Sequence, residues 1–185
     1  ASTDHANQAI DAAHIALKQW QTLSPQSRAT LLINWHDLML EHNDELARIL
    51  TLEQGKPLCE AKGEIQYSAS FLQWFSEEGK RIYGDVINSN NNTQRLFVIK
   101  QPVGVVSAIT PWNFPSAMIM RKASAALAAG CTFVVRPDPK TPLSALALAA
   151  LAQKAGIPKG VFNVVVSEAA QAIGEVLTTH PMVKK

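Results

Sequence analysis

The sequence predicts an α/β fold built on a parallel sheet, and three observations predict it. Short apolar runs at residues 103–109, 132–135 and 161–166 alternate with helical patterns at 116–129, 141–155 and 169–178. Those runs are apolar at nearly every position, as expected of strands buried on both faces. Hydrophobic residues make up 47% of the 185 residues and charged ones 17%, which supplies ample core material. Right-handed crossovers would then align the carboxyl ends of the strands along one edge, where ligands of open α/β sheets bind.

The first third of the chain reads as helical. Ala9, Ile10, Ala13, Leu17 and Trp20 recur at helical spacing. Ser24-Pro25 reads as an N-cap followed by proline at the first helical position, where a missing N–H costs nothing. From there Leu31, Leu32, Trp35, Leu38, Met39, Leu46, Ile49 and Leu50 form an apolar face that ends at Gly55. The polar group Glu41-His42-Asn43-Asp44 is expected to divide this stretch into two helices. Lys56-Pro57 opens another helical segment, with Ile65, Phe71, Leu72 and Phe75 as its buried side and Gly79 near its end.

The pattern changes after Tyr83. Residues 84–87 and 95–99 read as two extended pieces around an Asn-rich loop, a hairpin or a longer excursion. The α/β rhythm follows, with Gly130 and Gly156 closing two of its helices. It reaches Val183-Lys184-Lys185 just where another strand is due. Three parallel strands alone make a thin sheet, so an unpaired edge beside residues 161–166 and self-association are expected.

Composition excludes several functions. Seventeen Lys and Arg against fifteen Asp and Glu give a net charge of +2, without the basic stripe of a nucleic-acid surface. The longest strictly apolar run, residues 145–152, is too short to cross a bilayer, and the start lacks a signal-peptide layout. Two cysteines form neither a disulfide framework nor a metal spacing, which fits a cytoplasmic setting. The five histidines also lack ligand spacing, so no metal is expected. Glycine-rich phosphate loops of the G-x-G-x-x-G or G-x-x-x-x-G-K-[ST] type are absent.

Two loops at strand carboxyl ends hold the candidate chemistry. In Thr110-Pro111-Trp112-Asn113-Phe114-Pro115 two prolines stiffen the backbone. Asn113 offers an amide N–H to a developing oxyanion, or else caps the next helix; Trp112 walls a pocket or fills a gap. In Arg136-Pro137-Asp138-Pro139-Lys140-Thr141-Pro142, Thr141 reads as an N-cap that leaves helix N–H groups facing the loop. Arg136 and Lys140 beside it favour an anion or ribose hydroxyls, or form a solvated charged turn. Arg121, in the helix after Pro115, is placed to take a carboxylate or to lie on the surface. Cys131 opens an apolar strand with no nearby His and reads as structural.

Several motifs carry a resemblance to the NAD(P)-dependent aldehyde dehydrogenase family. They are Gln101-Pro102-Val103-Gly104-Val105-Val106, Ile109-Thr110-Pro111-Trp112-Asn113-Phe114-Pro115, Ala128-Ala129-Gly130-Cys131, Ala155-Gly156-Ile157-Pro158 and Gly160-Val161-Phe162-Asn163. Leu52-Glu53-Gln54-Gly55-Lys56-Pro57-Leu58 and the segment from Glu77 to Gly84 resemble the succinate-semialdehyde branch in particular. The resemblance implies a partial Rossmann-like parallel sheet with flanking helices, preceded by a helical segment and a β excursion resembling the oligomerisation arm. It divides the chain into 1–82, the helical part of the cofactor domain; 83–102, the arm; and 103–185, the truncated cofactor-binding part.

By position, the resemblance implies that Ile109, Thr110, Pro111 and Trp112 line the nicotinamide side of NAD or NADP. Arg136, Asp138 and Pro139 take the ribose side, Asn113 donates to the aldehyde oxygen, and Arg121 holds the distal carboxylate of succinate semialdehyde. A homo-oligomer is implied as well. Two departures stand out. Where the family has Lys-Pro-x-Glu or Lys-Pro-x-Ser, this chain has Arg136-Pro137-Asp138-Pro139, which obscures cofactor choice and leans toward NADP. The nucleophilic cysteine and general-base glutamate are expected beyond Lys185, so two readings stand: the cofactor-binding portion of a complete enzyme, or an inactive remnant that binds cofactor weakly or associates with a full-length homologue.

Overall fold

The computed structural model describes residues 1–185. Four helices come first: α1 (Thr3–Trp20), α2 (Pro25–Glu41), α3 (Asn43–Gln54) and α4 (Leu58–Glu78), the last running into a 3-10 turn at Gly79–Arg81. Ser24 caps α2, its side chain accepting from the Ser27 N–H at 3.0 Å. The break between α2 and α3 falls at His42, inside the polar group that suggested it. Gly55 ends α3 with φ +87°, in the left-handed region that favours glycine.

An antiparallel hairpin follows, β1 (Asp85–Asn88) paired with β2 (Arg95–Val98) in the register Asp85↔Val98 to Asn88↔Arg95. Both strands are exposed along their whole length. The rest alternates strand and helix: β3 (Val105–Ile109), α5 (Ala117–Ala128), β4 (Thr132–Arg136), α6 (Pro142–Lys154), β5 (Phe162–Val164) and α7 (Ala170–Thr179). Two expectations need correcting. The last strand is confined to Phe162–Val164, although the Val165 N–H still bonds the Val135 carbonyl; and α1 begins well before its first periodic residue.

The sheet is parallel, ordered β3-β4-β5. On the free side of β3 the chain end begins to pair: Val183 bridges Val105, the Lys184 N–H donates to the Val105 carbonyl, and the Ser107 N–H donates to the Lys185 carbonyl. The chain thus crosses back past β3 after β5, so the strand order reverses at β3. The side chains of β4 alternate accordingly. Phe133 and Val135 face the larger core, with α2 to α6, while Val134 faces a smaller one formed with α1 and α7. Helices on both faces explain why every residue of β4 is buried. Phe162 stacks on Phe133 with centroids 5.9 Å apart and meets Trp35 edge-on at 5.2 Å, tying α2 to the sheet.

Candidate functional site

The two loops singled out from sequence leave the same edge of the sheet. Ile109 and Arg136, the last residues of β3 and β4, are register partners, and the Thr110 N–H donates to the Arg136 carbonyl at 3.1 Å. A parallel pair in register must release its two following loops side by side. Ile109 and Trp112 are about half exposed there, at 45% and 48%. Thr110 is buried, and its hydroxyl has no hydrogen-bond partner.

Asn113 is exposed, and its side-chain amide makes no hydrogen bond within the chain. It does not cap α5. The Ser116 and Ala117 N–H groups donate instead to one carboxylate oxygen of Glu64, at 3.0 and 3.2 Å, from the buried face of α4. The other oxygen of Glu64 takes Lys56 Nζ at 2.5 Å, and the same ammonium donates to the Asn113 carbonyl at 3.1 Å. Lys56 also lies 3.8 Å from the centre of the Phe114 ring.

Arg121 is exposed on α5, its guanidinium 5.7 Å from the centre of the Phe71 ring, and has no carboxylate partner. The next residue, Lys122, donates to the Met118 carbonyl. Burial, then the charge of Arg121, pulls its pKa below the ordinary lysine range.

The second loop differs from expectation. Arg136 is buried rather than solvated: Nη2 donates to the Ser167 carbonyl at 2.9 Å, and Nε is buried without a partner. Asp138 organises the turn locally, its carboxylate accepting from the Lys140 N–H and its carbonyl from the Thr141 N–H. Asp138 and Pro139 are half-buried and Lys140 is exposed. Thr141 does not cap α6 with its side chain. Glu53 does, from the end of α3, its two oxygens accepting from Leu143 and Ser144 N–H at 2.7 and 2.8 Å. The α6 terminus is therefore already neutralised by a carboxylate of this chain, and the reading of those N–H groups as open to an anion is corrected.

Sequence reasoning assigned no role to Glu53, Lys56 or Glu64. A signal for Glu64 was present: it shares a helical face with Ala61, Ile65, Ser68 and Leu72, an apolar stripe where a carboxylate must find partners. Glu53 and Lys56 carry no such mark: neither lies on an apolar stripe, and the backbone groups they bind at Leu143, Ser144 and Asn113 are far along the chain. Cys131 precedes β4 at the amino edge of the sheet, opposite the loops, and is buried; Cys59 is exposed, and both are free thiols. No group of His, Cys, Asp and Glu side chains has the arrangement to hold a metal ion.

A doubly wound α/β sheet with two loops gathered beside its point of reversal defines the Rossmann-like class of fold. The chain belongs to the aldehyde dehydrogenase family, whose model matches residues 1–185. It is 62% identical over 182 residues to the succinate-semialdehyde dehydrogenase (NADP(+)) GabD of Escherichia coli strain K12, covering 98% of this chain and 38% of that protein. It is also 62% identical over 177 residues to the glutarate-semialdehyde dehydrogenase of Pseudomonas aeruginosa, covering 96% of this chain and 36% of that one. The crystal structure of an E. coli NADP-dependent enzyme superposes with a TM-score of 0.96 at 62% identity, covering 98% of this chain and 38% of the other. The chain thus spans little more than a third of the length of these relatives. No helix is long and apolar enough to cross a membrane.

Proposed function

We propose that residues 1–185 form the cofactor-side portion of an NAD(P)-dependent aldehyde dehydrogenase that oxidises succinate semialdehyde to succinate. One observation carries the reading: Asn113 presents an uncommitted amide on a braced loop beside the register pair Ile109 and Arg136. Such a donor stabilises negative charge as it develops on an aldehyde oxygen, provided it is held in place beforehand. Arg121 supplies a guanidinium without a carboxylate partner, suited to a substrate's distal carboxylate. The names of the two curated relatives describe aldehydes of that chemical class.

The residues at the edge fit a dinucleotide. Thr110 Oγ1 and Arg136 Nε are buried polar atoms without partners, the kind of atoms a ribose hydroxyl or amide satisfies. Ile109, Thr110, Pro111 and Trp112 would take the nicotinamide side, and Arg136, Asp138 and Pro139 the ribose side. The bound cofactor would supply the hydride acceptor. NADP is the proposed preference, supported by exposed Lys140 and by the cofactor in the E. coli relative's name.

We assign 1–82 to the helical part of the cofactor domain, 83–102 to an oligomerisation arm and 103–185 to the cofactor-binding sheet. Val86, Phe97 and Ile99 are exposed on or beside the hairpin, which supports its use in association with a second copy. Two free cysteines support a cytoplasmic setting. We assign the reacting thiolate to polypeptide outside residues 1–185, as the family resemblance implies; Cys131 cannot serve, being buried at the sheet edge opposite Asn113. By itself the chain would then turn over no aldehyde. The second reading is an inactive remnant that binds cofactor weakly or associates with a full-length homologue, and the exposed apolar residues of the hairpin offer a surface for such association.

Kinetics on the complete enzyme carrying these residues test the proposal. Asn113→Ala is expected to lower kcat by about 10²- to 10³-fold, the usual effect of losing an oxyanion donor. Arg121→Gln is expected to raise KM for succinate semialdehyde but not for an uncharged aldehyde of equal length. Wild-type kinetics in both variants would overturn the assignment. Competitive titration of NADP and NAD checks the cofactor preference, and turnover by a purified 185-residue chain would refute its inactivity in isolation.

A further inference from the structure

We propose that Lys56 and Glu64 are positioning residues for the reaction: a buried ion pair that sets the backbone from which the Asn113 amide projects. The proposal rests on the reading of Asn113 as oxyanion donor. The Lys56 side chain is 9% exposed and that of Glu64 only 1%. An ammonium has three N–H bonds, and Lys56 has three neighbours for them: the Glu64 carboxylate, the Asn113 carbonyl and the face of Phe114. The second oxygen of Glu64 receives the Ser116 and Ala117 N–H groups. The pair therefore holds the loop at two points, the carbonyl of Asn113 within the exposed stretch 111–114 and the first amides of α5 just after it. Pro111 and Pro115 fix two φ angles around the same stretch.

Helix capping alone does not account for this arrangement. Ser116 occupies the N-cap position of α5, yet its buried hydroxyl makes no hydrogen bond. Capping has been transferred to a carboxylate on another helix, with a desolvated lysine beside it. Burying two charges is costly, and a local Ser or Asp cap would satisfy the same N–H groups more cheaply. What the ion pair adds is a connection. The loop is referenced to α3 and α4 through Lys56, in the linker between them, and Glu64, on α4. Asn113 itself, with no hydrogen bond through its amide, relies on that backbone for its position. A displacement of about 1 Å in such a donor costs on the order of 10²-fold in rate.

The test is a double-mutant cycle on the complete enzyme, read as kcat and KM separately. Lys56→Met is expected to lower kcat by about 10- to 100-fold while KM changes less than about twofold. Glu64→Gln retains a carbonyl oxygen for the α5 amides but loses the charge facing Lys56, and is expected to fall between Lys56→Met and wild type. Lys56→Arg keeps the charge and is expected to recover part of the loss. In an Asn113→Ala background Lys56→Met should cost little more, because the group it positions is gone; a role in stability alone would lower both backgrounds equally. Where Lys56→Met does not fold, Lys56→Arg and Glu64→Gln run the same cycle. A wild-type kcat in Asn113→Ala would refute the donor reading itself. An impaired Asn113→Ala combined with an unimpaired or fully additive Lys56→Met would refute only the positioning proposal.

Discussion

Glu64 and Arg28 hold opposite ends of α5. The Glu64 carboxylate accepts the Ser116 and Ala117 N–H groups at its start, and Arg28 Nε donates to the Ala128 carbonyl at its end, at 3.2 Å. An anion at the N-terminus and a cation at the C-terminus both match the direction of the helix dipole. Trp20 Nε1 adds a bond to the Leu127 carbonyl at 3.1 Å. The N-terminal helices thus set the helix that follows the Asn113 loop, and changes far from the sheet edge should register there.

Replacing Arg28 should be among the most damaging substitutions. Its guanidinium is buried, donates also to the Leu23 carbonyl, and has its pKa pulled down by burial, an effect that Cys131 partly offsets. Arg28→Met leaves the buried Ala128 carbonyl and the partly buried Leu23 carbonyl without this donor, for a loss of about 2–4 kcal/mol in urea denaturation. Arg28→Lys should recover only part, since a point-like ammonium cannot span both carbonyls.

Glu53→Ala should destabilise the chain by about 1–2 kcal/mol, because both capped α6 amides lose a charged acceptor. Glu53→Gln keeps one carbonyl acceptor and should cost roughly half as much. Thr141→Ala, which removes no hydrogen bond, should have a much smaller effect; chemical denaturation of the three variants ranks them.

Two glycines should respond oppositely to alanine. At Gly160, φ is +82° and an added Cβ would lie 2.6 Å from the Ala12 carbonyl oxygen, so Gly160→Ala should push α1 from the sheet and cost about 2 kcal/mol or more. At Gly63, inside α4, an added Cβ meets nothing within 4 Å. Gly63→Ala should therefore stabilise by about 0.5–1 kcal/mol through helix propensity. Thermal melts would show the opposite shifts.

Lys122 should leave a signature at alkaline pH. Its folded pKa is lowered by burial and by Arg121, so above that value the unfolded chain binds more protons at this site. Its contribution to stability therefore rises with pH until the ordinary lysine pKa is passed, and is constant below the folded pKa. Lys122→Met should remove that slope from the difference in denaturation midpoint between pH 8 and 10.5. Arg121→Gln should weaken it. An unchanged slope in Lys122→Met would refute the shift.

Periodicity and local punctuation made most elements legible. Ser24-Pro25 marks the start of α2, the polar group around His42 marks its break from α3, and Gly55 marks the end of α3. The apolar runs marked β3 and β4 because strands covered on both faces need apolar residues throughout. The run at 161–166 overstated its strand, since apolar character also serves core packing outside the ladder: Val161 and Val165 are buried beyond the ends of β5.

At the sheet edge, local sequence placed both loops but misjudged what satisfies their helices. Thr141 has the residue type of a cap, yet the cap is Glu53, ninety residues away from the Leu143 amide it accepts. For Arg136 the sequence left a ligand contact and a solvated turn both open, and its burial against the Ser167 carbonyl excludes the second. Sequence by itself determined the order of helices and strands and which loops stand at strand ends, because these follow from short-range periodicity and backbone preference. Only the tertiary structure decided which carbonyls the buried cations meet, as with Lys56 and Asn113 or Arg28 and Ala128. A hydrogen-bond partner is chosen by distance in space, and packing alone brings such distant residues together.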